Sequence, residues 1–405
     1  MVQLTASREK GLLWLLALTQ FTIIMDFMVM MPLGPQIMHA FTIGPAGFAT
    51  AVSAYSLSAG ISGLLAATYI DRFDRRRLLL VVYSLFAISN LLCALAPTFH
   101  LLLISRAFAG LSGGILSSII MAIVSDVIPV QRRGAATGII MTAFSMAAVA
   151  GVPAGIVLGA YINWSATFYL LVALSLTIWI AGYWLVPSLT EHLAKQRVPF
   201  SQVLPNLFDM ITDPRNTVAY GLTFIMMVSH MLVIPFISPM LVANHGVAPQ
   251  QIAWIYMAGG AATFFTSRRI GVLSDRFGKH VVFRLIAVSS MLPILFLTHL
   301  PDLPLLAMIV LFPVFMVAVS GRMIPLQALI TTVPRTDQRG AFLSVNSAIQ
   351  SLGNGCGAWL GGLLLTNSAS GQIVGYGING WLAVGILTVA VVWIGQVHAR
   401  TSAPT

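Results

Sequence analysis

Apolar residues in this chain run in long stretches, each about the length of a hydrocarbon crossing, with short polar breaks between them. A helix needs roughly 20 apolar residues to span a bilayer, and a window of that length predicts twelve spans, near 12–35, 46–68, 78–97, 100–122, 135–161, 165–187, 217–241, 249–270, 281–300, 303–326, 340–365 and 377–396. No water is present in the bilayer core, so each span must satisfy its backbone internally, and the predicted fold class is an all-α integral membrane protein. The polar breaks carry a repeat. Asp71, Arg72, Phe73, Asp74, Arg75 and Arg76 recur as Asp275, Arg276, Phe277, Gly278, Lys279 and His280, an offset of 204 residues. Ile128, Pro129, Arg133, Gly134 and Ala135 recur as Val333, Pro334, Arg339, Gly340 and Ala341, with the arginines 206 apart. These registers predict two pseudo-symmetric six-helix halves, at about 1–187 and 217–405, joined by a linker at about 188–216. Duplicated bundles of this kind place a substrate site where the repeats meet.

Composition agrees with lipid as the solvent, since 58% of the residues are hydrophobic and 8% charged. A net charge of +10 raises the question of a nucleic-acid partner, and the positions of the 21 Lys and Arg residues answer it. Outside the spans they lie at the N-terminus (Arg8, Lys10), in the even-numbered connections (Arg72, Arg75, Arg76, Arg77, Arg132, Arg133, Lys195, Arg197, Arg215, Arg276, Lys279, Arg335, Arg339) and in the tail (Arg400); the odd-numbered connections have none. That asymmetry predicts both termini in the cytoplasm and no nucleic-acid partner. The first span is expected to be retained rather than cleaved as a signal peptide. Cys93 and Cys356 fall inside predicted spans and read as small apolar groups. No nucleophile with a matched base, phosphate loop or metal-ligand cluster is legible, so neither an enzyme nor a cofactor is expected.

Four signatures stand out. Gly271, Asp275, Arg276, Gly278 and Lys279 form one charged loop motif; its counterpart keeps Asp71, Arg72, Arg75 and Arg76 but has Ala67 and Asp74 at the two glycine positions, which puts its turn in question. Span 4 carries Arg106 followed by Gly110. Span 5 carries Gly151, Pro153, Gly155 and Gly159 beside Ala147, Ala148 and Ala150. Span 1 carries Asp26, followed by Pro32, Leu33, Gly34 and Pro35. With these, nearly the whole chain resembles the major facilitator superfamily, and within it the twelve-span drug/proton antiporters. Val152, between Gly151 and Pro153, is similar to the subset that exports sugars and chloramphenicol-like compounds. The resemblance implies that the loops latch the two halves on the cytoplasmic side, with Asp126 as charge partner, that Arg106 faces a cavity and serves proton coupling or substrate binding, and that the span 5 glycines form an antiporter motif. It also favours a bacterial inner membrane. Topology alone remains the competing reading for the loops, snorkelling for Arg106 and helix packing for the glycines.

Asp26 is the one acidic residue at membrane depth, which makes it a functional candidate by default. Desolvation favours its neutral form and a nearby arginine its charged form, as a proton carrier requires; a static ion pair with Arg106 is the alternative. His230 in span 7 is a candidate for sharing the proton, or else a hydrogen-bonding residue. Arg322 in span 10 reads as a ligand for an anionic group or a partner of backbone carbonyls. Asn346, Gln350 and Asn354 repeat every four residues on one face of span 11, facing substrate or a neighbouring helix. Tyr55 and Tyr256 are candidates to line a cavity. The expected function is proton-coupled export of a small organic molecule by alternating access, by a monomer in lipid. Uptake or facilitated passage of a sugar, nucleoside or organic anion is the alternative, and a transport-inactive receptor or scaffold represents a different class.

Overall fold

In the computed structural model, residues 5–129, 132–190, 205, 208–334 and 339–402 are described. Most of the predicted linker, with Glu191, Lys195 and Arg197, and also Arg335, lie outside the described residues. The first half comprises span 1 (Ala6–Val29 and Gly34–Phe41), span 2 (Pro45–Tyr69), span 3 (Arg75–Ala94), span 4 (Phe99–Val127), span 5 (Arg133–Met146 and Val152–Tyr161, around a π-helical turn at Ala147–Gly151) and span 6 (Trp164–Leu185). The second half has span 7 (Pro214–Met231 and Ile237–His245), span 8 (Pro249–Phe277), span 9 (Lys279–Thr298), span 10 (Leu305–Gly321 and Met323–Ile330), span 11 (Arg339–Leu363) and span 12 (Tyr376–Ser402). Every predicted window is helical. Ten of these segments are long and apolar enough to cross a membrane; spans 8 and 11, the more polar pair, are helices of 29 and 25 residues.

Prolines and small residues shape the helices locally. Span 1 breaks before Gly34, beside Pro32 and Pro35, and span 7 breaks before Ile237, beside Pro235. A proline removes a backbone donor and clashes with the preceding turn, so a break is the expected response. Glycines set the close contacts. Side chains at Gly110 and Gly114 of span 4 would run into the backbone carbonyls of Tyr55 and Ala59 of span 2, and only a glycine surface admits that approach. Gly151, Gly155 and Gly159 of span 5 face Met25, Val29 and Leu33 of span 1 in turn, a ladder with four-residue steps on both helices.

The halves touch on the side away from the chain termini, here called the far side. Span 2 lies against span 11, where Gly355 faces Leu57, Gly60 faces Leu352 and Gly362 faces Ala49. Span 5 lies against span 8, where Gln250 donates to the Ala160 carbonyl at 3.3 Å. Ser238, beyond the break in span 7, donates to the carbonyl of Pro32 at 2.8 Å. A two-stranded hairpin, Thr366–Asn367 with Ile373–Val374, lies on the same side and is held by Asn244, which donates to the Ile373 carbonyl at 2.9 Å and accepts from its N–H at 2.8 Å. Toward the termini, among the described residues, the halves draw apart: a methyl group placed on Gly138 of span 5, Gly271 of span 8 or Gly340 of span 11 would meet no atom within 4 Å. Among the described residues, the halves are therefore closed together on the far side and apart on the terminal side.

Candidate functional site

In the first half an ion pair lies at membrane depth. Asp26 accepts a hydrogen bond from Arg106 Nη1, and both side chains are completely buried. The guanidinium lies over the ring of Tyr55 at 4.4 Å and faces Phe168 at 5.9 Å. Tyr55 is fixed in turn by its hydroxyl, which donates to the Ile23 carbonyl at 3.2 Å, and by stacking on Phe27 at 5.8 Å. Asn90 and Cys93 of span 3 flank the pair. The second carboxylate oxygen of Asp26, Oδ2, and Nε of Arg106 are buried without hydrogen-bond partners. Spans 1, 2, 3, 4 and 6 thus enclose one negative and one positive charge, whose mutual attraction offsets a desolvation cost of several kcal/mol per ion. Asp26 and Tyr55 are sealed inside the half in this state; neither faces the opening.

Among the described residues, the second half has no equivalent pair. Arg322 is completely buried at the break in span 10; its Nη1 donates to Ser290 of span 9 at 3.1 Å, and its Nε has no partner. His230 lies on span 7 near Arg322, and its Nδ1 is likewise buried without a partner. Tyr256 of span 8 packs on Phe312 at 5.1 Å with its hydroxyl unpartnered. The span 11 stripe divides. Asn346 accepts from Thr223 of span 7 at 2.9 Å and joins the two helices, whereas Gln350 and Asn354 are half-buried, with Oδ1 of Asn354 unpartnered. Asn354 shares its helix face with Ser347 and Ser351 and points away from the exposed Leu360 and Leu363.

The two charged loops fold differently. In the first, Arg75 is buried and ties three elements together: Nε donates to Asp126 at 2.9 Å, Nη1 to the Ile70 carbonyl at 2.6 Å, and Nη2 to Asp71. Asp126 is thus a charge partner within its own half. Arg76 donates to the Tyr183 carbonyl at 2.6 Å and lies over that ring. Asp74, at the motif's glycine position, has ordinary angles (φ −59°, ψ 123°); it caps span 3 by accepting from the Arg76 N–H and also receives hydrogen bonds from Ser188 and Leu189. In the second loop Gly278 takes φ +93°, Asp275 and Arg276 are exposed, and Arg276 lies over Phe277 at 5.4 Å. The turn questioned by the sequence forms without positive φ because Asp74 supplies a cap in place of a glycine.

Sequence reasoning did not single out Asn90, Phe168, Thr223 or Ser290. Each is an ordinary residue for a membrane helix, and only its neighbour across the bundle gives it a role.

Comparison with known proteins places these features. A family model described as Major Facilitator Superfamily matches residues 16–215 and 219–405. The chain is 25% identical over 367 residues to an uncharacterised transporter of that type, YfhI, from Bacillus subtilis (strain 168), covering 89% of this chain and 88% of the relative. It is 24% identical over 246 residues to a probable sugar efflux transporter from Helicobacter acinonychis (strain Sheeba), covering 61% of each. A crystal structure of a bacterial homologue of the human lysosomal transporter Spinster, inward-facing and occupied, superposes with a TM-score of 0.76 at 17% identity over 98% of both chains.

Proposed function

The chain belongs to the major facilitator superfamily and is a multi-pass membrane transporter, and from that premise we propose that it exports a small organic molecule from a bacterial cytoplasm in exchange for protons. The observation that carries this reading is the enclosed Asp26–Arg106 pair, with one carboxylate oxygen unpartnered, inside a molecule open on one side only. An intramembrane carboxylate paired with an arginine gives up that ion pair when it takes a proton, and with it the anchor between spans 1 and 4. Span 1 also forms part of the far-side closure and rides on the glycine ladder of span 5, so the protonation state of Asp26 acts directly on the helix whose seating sets how firmly that closure holds. Proton and substrate need only prefer different states to be coupled. The loop lysines and arginines support termini in the cytoplasm; in that orientation the present state is inward-open, the state that protonation of Asp26 favours on the return and in which Asp26, once its proton has left, is charged and ready for substrate. The likeness to a relative named as a probable sugar efflux transporter supports export.

The test uses purified protein in liposomes with a pH-sensitive dye inside, an imposed proton gradient and a panel of sugars, organic anions and amphipathic drugs. Native protein is expected to show substrate-dependent proton flux, and Asp26→Asn is expected to abolish it. Substrate crossing without proton movement, unaffected by Asp26→Asn, contradicts antiport and makes the protein a facilitator.

A further inference from the structure

Among the described residues, the second half holds a positive charge with no carboxylate to balance it. A guanidinium stays protonated in proteins, so Arg322 is a full charge taken out of water. The acidic residues of that half are Asp213, Asp275, Asp302 and Asp337; Asp337 lies outside the described residues, and none of the other three lies in the body of a span. Asp213 caps the start of span 7, Asp275 is exposed in the last turn of span 8 and Asp302 lies in the far-side connection between spans 9 and 10. The first half solves the same problem with Asp26; the second leaves Arg322 with one hydroxyl, from Ser290 at 3.1 Å, and an unpartnered Nε.

Two further observations point to a ligand. His230 of span 7, near Arg322, also keeps Nδ1 buried and unpartnered, a second potential donor left without a partner. Span 8, which meets the first half at span 5, also passes close by. Gly321, which precedes Arg322, packs toward Ile270 of span 8, and the next residue, Gly271, faces open space. Span 10 is interrupted at this point, between Gly321 and Met323, so the arginine stands at a joint rather than in the middle of a rigid rod.

We propose that Arg322, with Ser290 and His230, forms a subsite for an anionic oxygen group of the transported molecule, a carboxylate or phosphate-like group. Nε and Nη of a guanidinium present parallel donors that match two oxygens of such a group. The two halves would then divide the work, the first carrying the proton and the second the substrate's negative charge. This inference deepens the transport reading and rests on it.

The experiment measures ligand binding and thermal unfolding of the full-length protein in a neutral detergent. The probes are acetate, benzoate, 1-naphthoate and phenyl phosphate, each compared with its neutral counterpart (acetamide, benzamide, 1-naphthamide and phenol), together with dihexanoyl phosphatidate. At least one small anion is expected to bind about tenfold or more tightly than its neutral counterpart, equivalent to about 1.4 kcal/mol. Arg322→Gln should abolish that difference and, by removing an unbalanced buried charge, raise the unfolding midpoint of the ligand-free protein. Arg322→Lys should retain part of the preference. The absence of any preference, its survival in Arg322→Gln, a response to phosphatidate alone, or a lower ligand-free midpoint for Arg322→Gln overturns the proposal; the last result would make Arg322 a structural residue. No proton gradient is involved, so this outcome is separate from the flux assay: Asp26→Asn should keep the anion preference even while it abolishes proton coupling.

Discussion

Asp26 and Arg106 show how a residue acquires a role from its surroundings. An aspartate on an apolar helix is conspicuous in a sequence, and so is an arginine on another, but their meeting 80 positions apart needs span 4 to lie against span 1, where Gly113 faces Ile23. The sequence therefore revealed the two charges, and named their pairing only as one alternative for Asp26; the enclosing residues, Tyr55 excepted, were not legible, because Phe168 and Asn90 look like any other residue of a buried helix. The pair makes a clear energetic prediction. Arg106→Gln leaves a buried carboxylate alone and should cost about 3–5 kcal/mol of stability, whereas the double variant Asp26→Asn/Arg106→Gln removes both charges and should recover most of the loss. Unfolding in detergent for the four members of the cycle tests this, and equal losses in the arginine single and double variants would show that the carboxylate is not the reason. Arg322 lies at the other extreme, since its sequence context could not say whether a partner existed.

At the scale of elements, the repeat was legible and its two copies behave differently. Asp74 and Gly278 occupy the same motif position, yet one caps a helix and the other supplies a backbone conformation. Exchanging them should therefore hurt both loops. Asp74→Gly gives up a cap worth about 0.5–2 kcal/mol, and Gly278→Asp forces a side chain into a positive-φ region at about 1–3 kcal/mol. Thermal unfolding of each variant is the check, and a silent Gly278→Asp would contradict the backbone argument. The span 5 glycines were read from sequence as either a functional motif or a packing surface. Their ladder against span 1 shows contact, and because span 1 bears Asp26, packing and function share the same helix face. The breaks in spans 1, 7 and 10 were not predicted as breaks, although prolines flank each, because a proline in a membrane helix kinks or interrupts it according to what neighbouring helices offer the freed carbonyls.

Across the whole molecule, apolar run lengths and the repeated loop motifs were enough to indicate two six-helix halves; which side would be open was not legible, because both states of such a transporter use the same sequence. The observed state is closed on the far side by spans 2 and 11, 5 and 8, and the broken ends of 1 and 7, and open toward the termini. If Asp26 is the coupling residue, its protonation must shift this equilibrium. Spin labels at Gly138 and Gly271, which face open space on the terminal side, report the separation of the halves directly by pulsed dipolar spectroscopy. In native protein the fraction with a long distance should rise as pH falls, and Asp26→Asn, a mimic of the protonated carboxyl, should hold the long distance at every pH. A variant that retains the native pH response would contradict the assignment of Asp26 as the group that drives the transition.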